Sequence, residues 1–354
     1  MQLALEINED KKTINPRDYQ ITLKKDIYRY FNQGIKKVLG VAATGSGKTV
    51  IATIICKDAV ERGRKVCFLI HRDVLAEQTA KTFRSFGLEC GFIMGAKESN
   101  PETPIQIASV QTLESRKNAI NLDFDLFFFD EAHITAWSKI GKEIFKKDAW
   151  IVGLTATPWR LKKTEGMGDL FDAIATAPLP YQLMGMGYLV SPRYFTLPEA
   201  DLSKVRTTKG DFNTTDLGTV CNQKEVIESL VDNWIKLAWG RKTIVFAVNV
   251  NHAIAIADSF QEKGIKAKAV SGKMTIKGCE KVYQELRKGL INVLVSCEKL
   301  GEGFDVPSID CVCLARPTKS KSKYFQQVGR GLRISPNKET CLILDQAGNV
   351  ERFG

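Results

Sequence analysis

Ala42-Ala43-Thr44-Gly45-Ser46-Gly47-Lys48-Thr49 stands between an apolar run and an amphipathic one. Residues 38–41, just before it, read as a buried strand. Residues 49–62, just after it, put Val50, Ile51, Ile54, Ile55 and Ala59 on one helical face and stop at Gly63. A glycine-rich turn between strand and helix lets backbone N–H groups converge on an anion, and the helix N-terminus adds a favourable dipole. Thr44, Gly45, Ser46 and Gly47 would form the cradle. Lys48 would reach the β- and γ-phosphates of a nucleotide, and the Thr49 hydroxyl would ligate Mg²⁺. Ala42 stands where the strict phosphate-loop pattern has glycine. The competing reading is a plain turn before a helix with an incidental Lys-Thr.

The same alternation extends outward. Residues 66–70, 105–109, 126–129 and 151–154 are continuous apolar runs, as strands covered on both faces should be. Strand, helix, strand in succession predicts a parallel sheet with right-handed crossovers. The pattern lapses from about Pro178 to Gly218, through Pro180, Gly185-Met186-Gly187, Pro192, Pro198 and a polar stretch. That composition predicts an interdomain connection, placed at 186–218. Strands then resume at 243–247, 267–270, 293–296, 311–314 and 341–344, with helices at 249–263, 275–288 and 323–332. The expected fold class is α/β in two domains, 1–185 and 219–354.

The apolar run Leu126-Phe127-Phe128-Phe129 ends in Asp130-Glu131-Ala132-His133. An α/β sheet binds its ligands at the C-terminal ends of its strands. There Asp130 would hold Mg²⁺ beside Thr49, and Glu131 would orient and polarise an attacking water. His133 would sense the phosphate state. The competing reading is a helix start carrying acids for its dipole.

The 354 residues exceed one ordinary core and suit two domains. Hydrophobic residues are 44% and charged residues 26%, the balance of a soluble globular chain. No apolar run approaches the roughly 20 residues of a membrane span, and the N-terminus has no signal-peptide pattern. Lys and Arg number 51 against 40 Asp and Glu, a net +11 that favours a polyanionic partner. Nine cysteines without a CxxC pair argue against a zinc site or disulfide framework. The thiols of Cys311 and Cys313 are expected to point to opposite faces of their strand.

Taken together, these features resemble a superfamily 2 helicase of the DExH kind, nearest to the group of XPB-like proteins, RecG-like motors and phage helicases such as UvsW. The resemblance follows the chain in order. Arg17-Asp18-Tyr19-Gln20 is similar to the adenine-recognition element. His71-Arg72 and Ser109-Val110-Gln111-Thr112 resemble the first nucleic-acid motifs. Asp130-Glu131-Ala132-His133 spells the DEAH box, and Thr155-Ala156-Thr157-Pro158 resembles the motif coupling ATP to the strand. Gly301 to Pro307 and Gln326 to Arg333 resemble motifs five and six.

This resemblance implies two tandem RecA-like domains with the ATP site in the cleft between them. Arg330 and Arg333 would act as arginine fingers from the second domain, Gly303 and Asp305 would report on the γ-phosphate, and Thr155, Thr157, Gln326 and His133 would couple hydrolysis to movement. The alternative for the two arginines is a solvated helix face. Nucleic-acid contacts are expected at His71, Arg72, Gln111, Thr112, Thr318 and Lys319. Trp137 and Trp159 are read either as base-stacking or as core residues. The implied cofactors are ATP and Mg²⁺. The implied partner is DNA, single-stranded, forked or branched, in replication, recombination, repair or branch migration, with RNA the lesser expectation. A cytoplasmic, nucleoid-associated monomer follows, in the host cytoplasm if a phage encodes it. In resembling phage-type helicases more chain follows the loop at 345–349, which implies a truncated or compact form here. Other readings are a duplex translocase, an RNA helicase and a nucleotide-gated remodelling module.

Overall fold

The computed structural model describes residues 15–71, 75–95, 100–116, 122–159, 164–272, 274–297 and 306–354. Two compact units are present. One takes residues up to 41, 47–155 and 170–177; the other takes 178–354 with 42–46 and 156–169.

The first sheet has seven strands: β1 (Lys37–Val41), β2 (Val66–Ile70), β3 (Cys90–Ile93), β4 (Ile105–Ser109), β5 (Leu126–Asp130), β6 (Trp150–Thr155) and β7 (Ala173–Thr176). Their order is β3-β4-β2-β5-β6-β1-β7, and all pairings are parallel. Strands β2 and β4 are buried along their whole length, which explains the unbroken apolar run of β2; in β4 the buried Gln106 donates its Nε2 to the Asn100 and Thr103 carbonyls. Phe127, Phe128 and Phe129 are fully buried, and Phe128 stacks on Phe68 with ring centroids 5.3 Å apart. Five neighbouring carboxyl ends, those of β1, β2, β4, β5 and β6, therefore open onto one edge of the sheet.

The second unit opens with β8 (Ser191–Thr196), an edge strand formed inside the stretch expected to be a connection. Next comes a hairpin of β9 (Thr207–Thr208) and β10 (Asp211–Phe212). Lys209 and Gly210 turn it with φ of 54° and 83°, as a two-residue hairpin loop requires. The remaining strands are β11 (Thr243–Ala247), β12 (Ala267–Val270), β13 (Val293–Cys297), β14 (Cys311–Leu314) and β15 (Thr340–Asp345). The sheet order is β12-β13-β11-β14-β15-β8, again all parallel. The helix Val250–Glu262 packs its apolar face on this sheet, with Trp234, Phe260 and Leu344 in the shared core.

One expectation is corrected here. Cys311 and Cys313 are two residues apart in β14, and such residues share a strand face. Their Sγ atoms lie 4.0 Å apart in the core instead of diverging. All nine cysteines are free thiols, eight of them buried. No helix among the described residues is long and apolar enough to cross a membrane.

Candidate nucleotide site and its surroundings

The loop after β1 is shaped by two glycines in the left-handed region, Gly45 at φ 85° and Gly47 at φ 77°. Gly47 caps the helix Lys48–Glu61. Its conformation favours glycine, and a Cβ there would lie 2.6 Å from the amide end of the Gln20 side chain, which would have to shift. Gln20 is buried on the helix Asp18–Asn32, and its Oε1 accepts from the Arg17 backbone N–H at 2.9 Å. The structure thus brings Gln20 against Gly47, 27 residues away in sequence, with Arg17 bonded to Gln20 from the helix start.

At the end of β5, Glu131 takes φ 46° and ψ 55°, a left-handed conformation that costs a non-glycine residue roughly 1–2 kcal/mol. The turn sets its carboxylate between two partners. Oε1 is 3.8 Å from Lys48 Nζ, and Oε2 is 3.5 Å from His133 Nδ1. His133 is buried, and the same Nδ1 lies 2.9 Å from Thr155 Oγ1, on the last residue of β6. Lys48, Glu131, His133 and Thr155 form one connected polar chain across the ends of three elements.

Asp130 lies beside that chain. Burial raises its pKa and the neighbouring Glu131 charge adds to this, against an opposing pull from Lys48, so the carboxyl is pushed up to about 7. A carboxylate held this way gains from a cation beside it. These features fit a phosphate-bound divalent cation held by Asp130 and Thr49. No group of three or more His, Cys, Asp or Glu side chains able to hold a metal occurs among the described residues.

The other candidates of this unit follow strand ends too. His71 follows β2 and is half-buried. Gln111 follows β4 and is exposed, and its Oε1 accepts from Ser109 Oγ at 3.0 Å; Thr112 beside it is buried. Thr157 is buried, Trp137 is half-buried beneath Lys142 Nζ at 4.9 Å, and Trp159 is 39% exposed. Arg72, Gly303 and Asp305 lie outside the described residues.

In the second unit, the helix Lys321–Gly331 carries Gln326 and Arg330, and Arg333 follows in a bridge to Leu189. Gly331 lets the helix end close onto β14 and β15, because a Cβ there would collide with Cys341 Sγ and Val312. The helix starts beyond the carboxyl end of β14 and finishes before the amino end of β15. Arg330 and Arg333 therefore lie at the opposite end of this sheet from Thr318 and Lys319, roughly 16 Å of helix away.

Thr318 is fully buried. Its hydroxyl donates to Asp211 and accepts from Ser320 N–H. Lys319 donates its backbone N–H to Asp211 at 2.7 Å and its Nζ to Thr207 Oγ1 at 2.6 Å. Asn349 holds the same loop from the other side, accepting from Thr318 N–H and donating to the Arg316 carbonyl. Asp211 and Asn349 were not among the sequence candidates. Asp211 stands in an aperiodic polar stretch whose only cue is the Lys209-Gly210 turn, and Asn349 is set apart only by the loop around it.

Residues 13–160 match the family described as type III restriction enzyme, res subunit, and residues 224–335 match the helicase conserved C-terminal domain. The chain is 31% identical over 313 residues to a 51.5 kDa protein of a Lactococcus phage (isolate 7-9), covering 88% of this chain and 65% of that one. It is 28% identical over 354 residues to IRC3 of Saccharomyces cerevisiae, provisionally named an ATP-dependent helicase, covering 94% and 51%. A fragment assigned to the HsdR subunit of a type I restriction enzyme from Vibrio vulnificus YJ016 shares the fold at TM-score 0.75 and 24% identity, over 96% of this chain and 65% of that one. The chain spans between half and two thirds of the length of these relatives. The two parallel sheets with their helices are the two RecA-like domains of such proteins.

Proposed function

We propose that this chain, which carries the two domains of a superfamily 2 helicase, hydrolyses Mg²⁺-ATP to move along DNA and separate its strands. The observation that carries the reading is the connected set Lys48, Glu131, His133 and Thr155 beside a glycine-shaped phosphate loop. Thr44 to Gly47 and Lys48 cradle the phosphates, while Arg17 and Gln20 hold the base. Thr49 and Asp130 hold Mg²⁺, which when bound neutralises charge on the phosphate oxygens. Glu131 orients the attacking water, held for that task by its strained turn and its partners. Arg330 and Arg333, with Gly303 and Asp305, complete the hydrolytic set from the second domain, where an arginine finger contributes roughly 10³–10⁵ in rate.

Through His133, Thr155 is tied to Glu131, which supports the coupling role of Thr155, Thr157, His133 and Gln326. His71, Arg72, Gln111, Thr112, Thr318 and Lys319 grip the strand; with its hydroxyl committed to Asp211 and Ser320, Thr318 acts by shaping the loop that presents Lys319. The restriction-enzyme family match supports DNA over RNA, while the net charge of +11 suits a nucleic acid of either kind. The narrower kinship with XPB-like, RecG-like and UvsW-like motors, the taste for forked or branched DNA, the division at 1–185, 186–218 and 219–354 and action as a cytoplasmic monomer belong to the same proposal.

The deciding experiment measures ATP turnover with single-stranded, duplex, forked and four-way DNA and with RNA, beside strand displacement on the fork. Stimulation by DNA and displacement of the forked strand are expected, with turnover abolished in Lys48→Ala. Normal turnover in Lys48→Ala would remove the site assignment. Stimulation by RNA alone would remove the substrate assignment.

A further inference from the structure

The helix Lys321–Gly331 ends in a short loop that turns back at Asn337, which holds φ 61°. The backbone N–H of Lys338 donates to the Ser335 carbonyl at 3.2 Å and closes the turn. This brings the Lys338 side chain beneath the helix end. Its Nζ donates to the Arg333 carbonyl at 2.8 Å and to the Pro307 carbonyl at 2.9 Å. Past a helix's last turn the carbonyls have no intrahelical partner, so such an acceptor is open to a side chain. Pro307 is a firm post for the other bond. The ring fixes its φ, and Val306 and Ile309 on either side are buried in the core.

We propose that Lys338 is a positioning residue for hydrolysis: its ammonium clasps the backbone of Arg333 to Pro307 and so fixes the end of the segment that carries Arg330 and Arg333. The inference rests on the hydrolytic reading of those two arginines. The clasp is made at a cost. Burial pulls the pKa of the Lys338 ammonium down to about 8, with the Arg333 charge acting in the same direction and nearby Asp310 against it. A loop that needed only a staple could use an exposed lysine without that penalty. The bond joins the last residue of the Gly301 to Pro307 stretch to the end of the Gln326 to Arg333 stretch, the two parts of this domain placed in the hydrolytic set.

The test compares Lys338→Met, which keeps length and removes every donor, with Lys338→Arg, which keeps charge and donors. Amide hydrogen exchange of the full chain without nucleotide reads the clasp itself. In Lys338→Met, exchange over 306–310 and 331–339 should quicken by about tenfold or more, the value of a charge-assisted hydrogen bond, while the helix Val250–Glu262 is unaffected. DNA-stimulated turnover should then lose about tenfold in kcat with KM for ATP within about twofold, because ground-state nucleotide contacts are made elsewhere. Lys338→Arg should restore most of both. Unchanged exchange at either segment overturns the clasp. Faster exchange with unaltered kcat, or a loss confined to KM, overturns the positioning role. If Lys338→Met does not fold, Lys338→Gln, with a shorter neutral donor, is read by the same outcomes. Normal turnover in Arg330→Ala would remove the arginine reading and the positioning role with it, leaving the exchange result as the measure of the clasp alone.

Discussion

Gly47 and Glu131 share a left-handed backbone for opposite reasons. Glycine takes it freely, and any larger residue would also have to displace the Gln20 amide. Glutamate takes it at a cost, at the turn that sets its carboxylate between Lys48 and His133. The phosphate loop was legible in the sequence because it needs a particular residue type at each place. His252 was not, since a lone histidine near a helix start has no pattern around it. It is buried, and its Nδ1 accepts from the Val248 N–H at 3.2 Å, so the folded chain needs the neutral ring. Burial alone pulls its pKa down to about 4, from an ordinary 6.5. Between those values the unfolded chain binds a proton that the folded chain refuses, so stability falls as pH drops through that window. Urea unfolding should show the wild type losing about 1–2 kcal/mol more than His252→Gln between pH 7.5 and 5. Parallel losses in the two proteins would sink this account of His252.

Among the elements, the sequence showed the interior strands and missed several at the margins. The inner strands are buried on both faces and are mainly apolar, so β2, β4, β11 and β14 are found to the residue, as is the edge strand β12. Strands β3, β7 and β8 lie at sheet edges, where one side needs no partner and the composition loosens. The last includes Pro192, which an edge strand tolerates and an inner strand does not. Element packing also explains a glycine that carries no motif. Gly153 in β6 lies opposite Phe129, and a Cβ there would meet Phe171 and come within 2.9 Å of Ala132. Ala132 is the residue after Glu131, so extra volume presses on the strained turn itself. Gly153→Ala should destabilise the fold by about 1–3 kcal/mol and lower ATP turnover, both measured on purified protein. Phe171→Leu added to it should recover part of the stability. Unchanged unfolding and unchanged turnover in Gly153→Ala would mean that the strand has slack here.

Over the whole molecule, chemistry collects where parallel strands end. The phosphate loop, His71, Gln111, Glu131 and the end of Thr155 follow β1, β2, β4, β5 and β6, and the loop of Thr318 and Lys319 follows β14. The arginines are the exception, placed at the far end of their sheet by the helix Lys321–Gly331. That one helix has its first end held by a loop bonded to Asp211 and Asn349 and its last end held by Lys338. A helix fixed at both ends moves as a unit, which is what the proposed motor needs if events at Arg330 and Arg333 are to be felt at the loop of Thr318 and Lys319, the proposed strand contact. The grip itself is expected to be ionic, because the chain carries a net charge of +11. Each neutralised phosphate releases condensed counterions, so affinity for single-stranded DNA should fall roughly ten- to a hundredfold between 50 and 200 mM salt for about three to five contacts. Fluorescence anisotropy with a labelled oligonucleotide reads this directly. Lys319→Ala should flatten the slope of affinity against salt by roughly one contact's worth while leaving ATP affinity unchanged. A slope indifferent to salt in the wild type would mean that stacking, with Trp159 as its exposed candidate, carries the binding in place of charge.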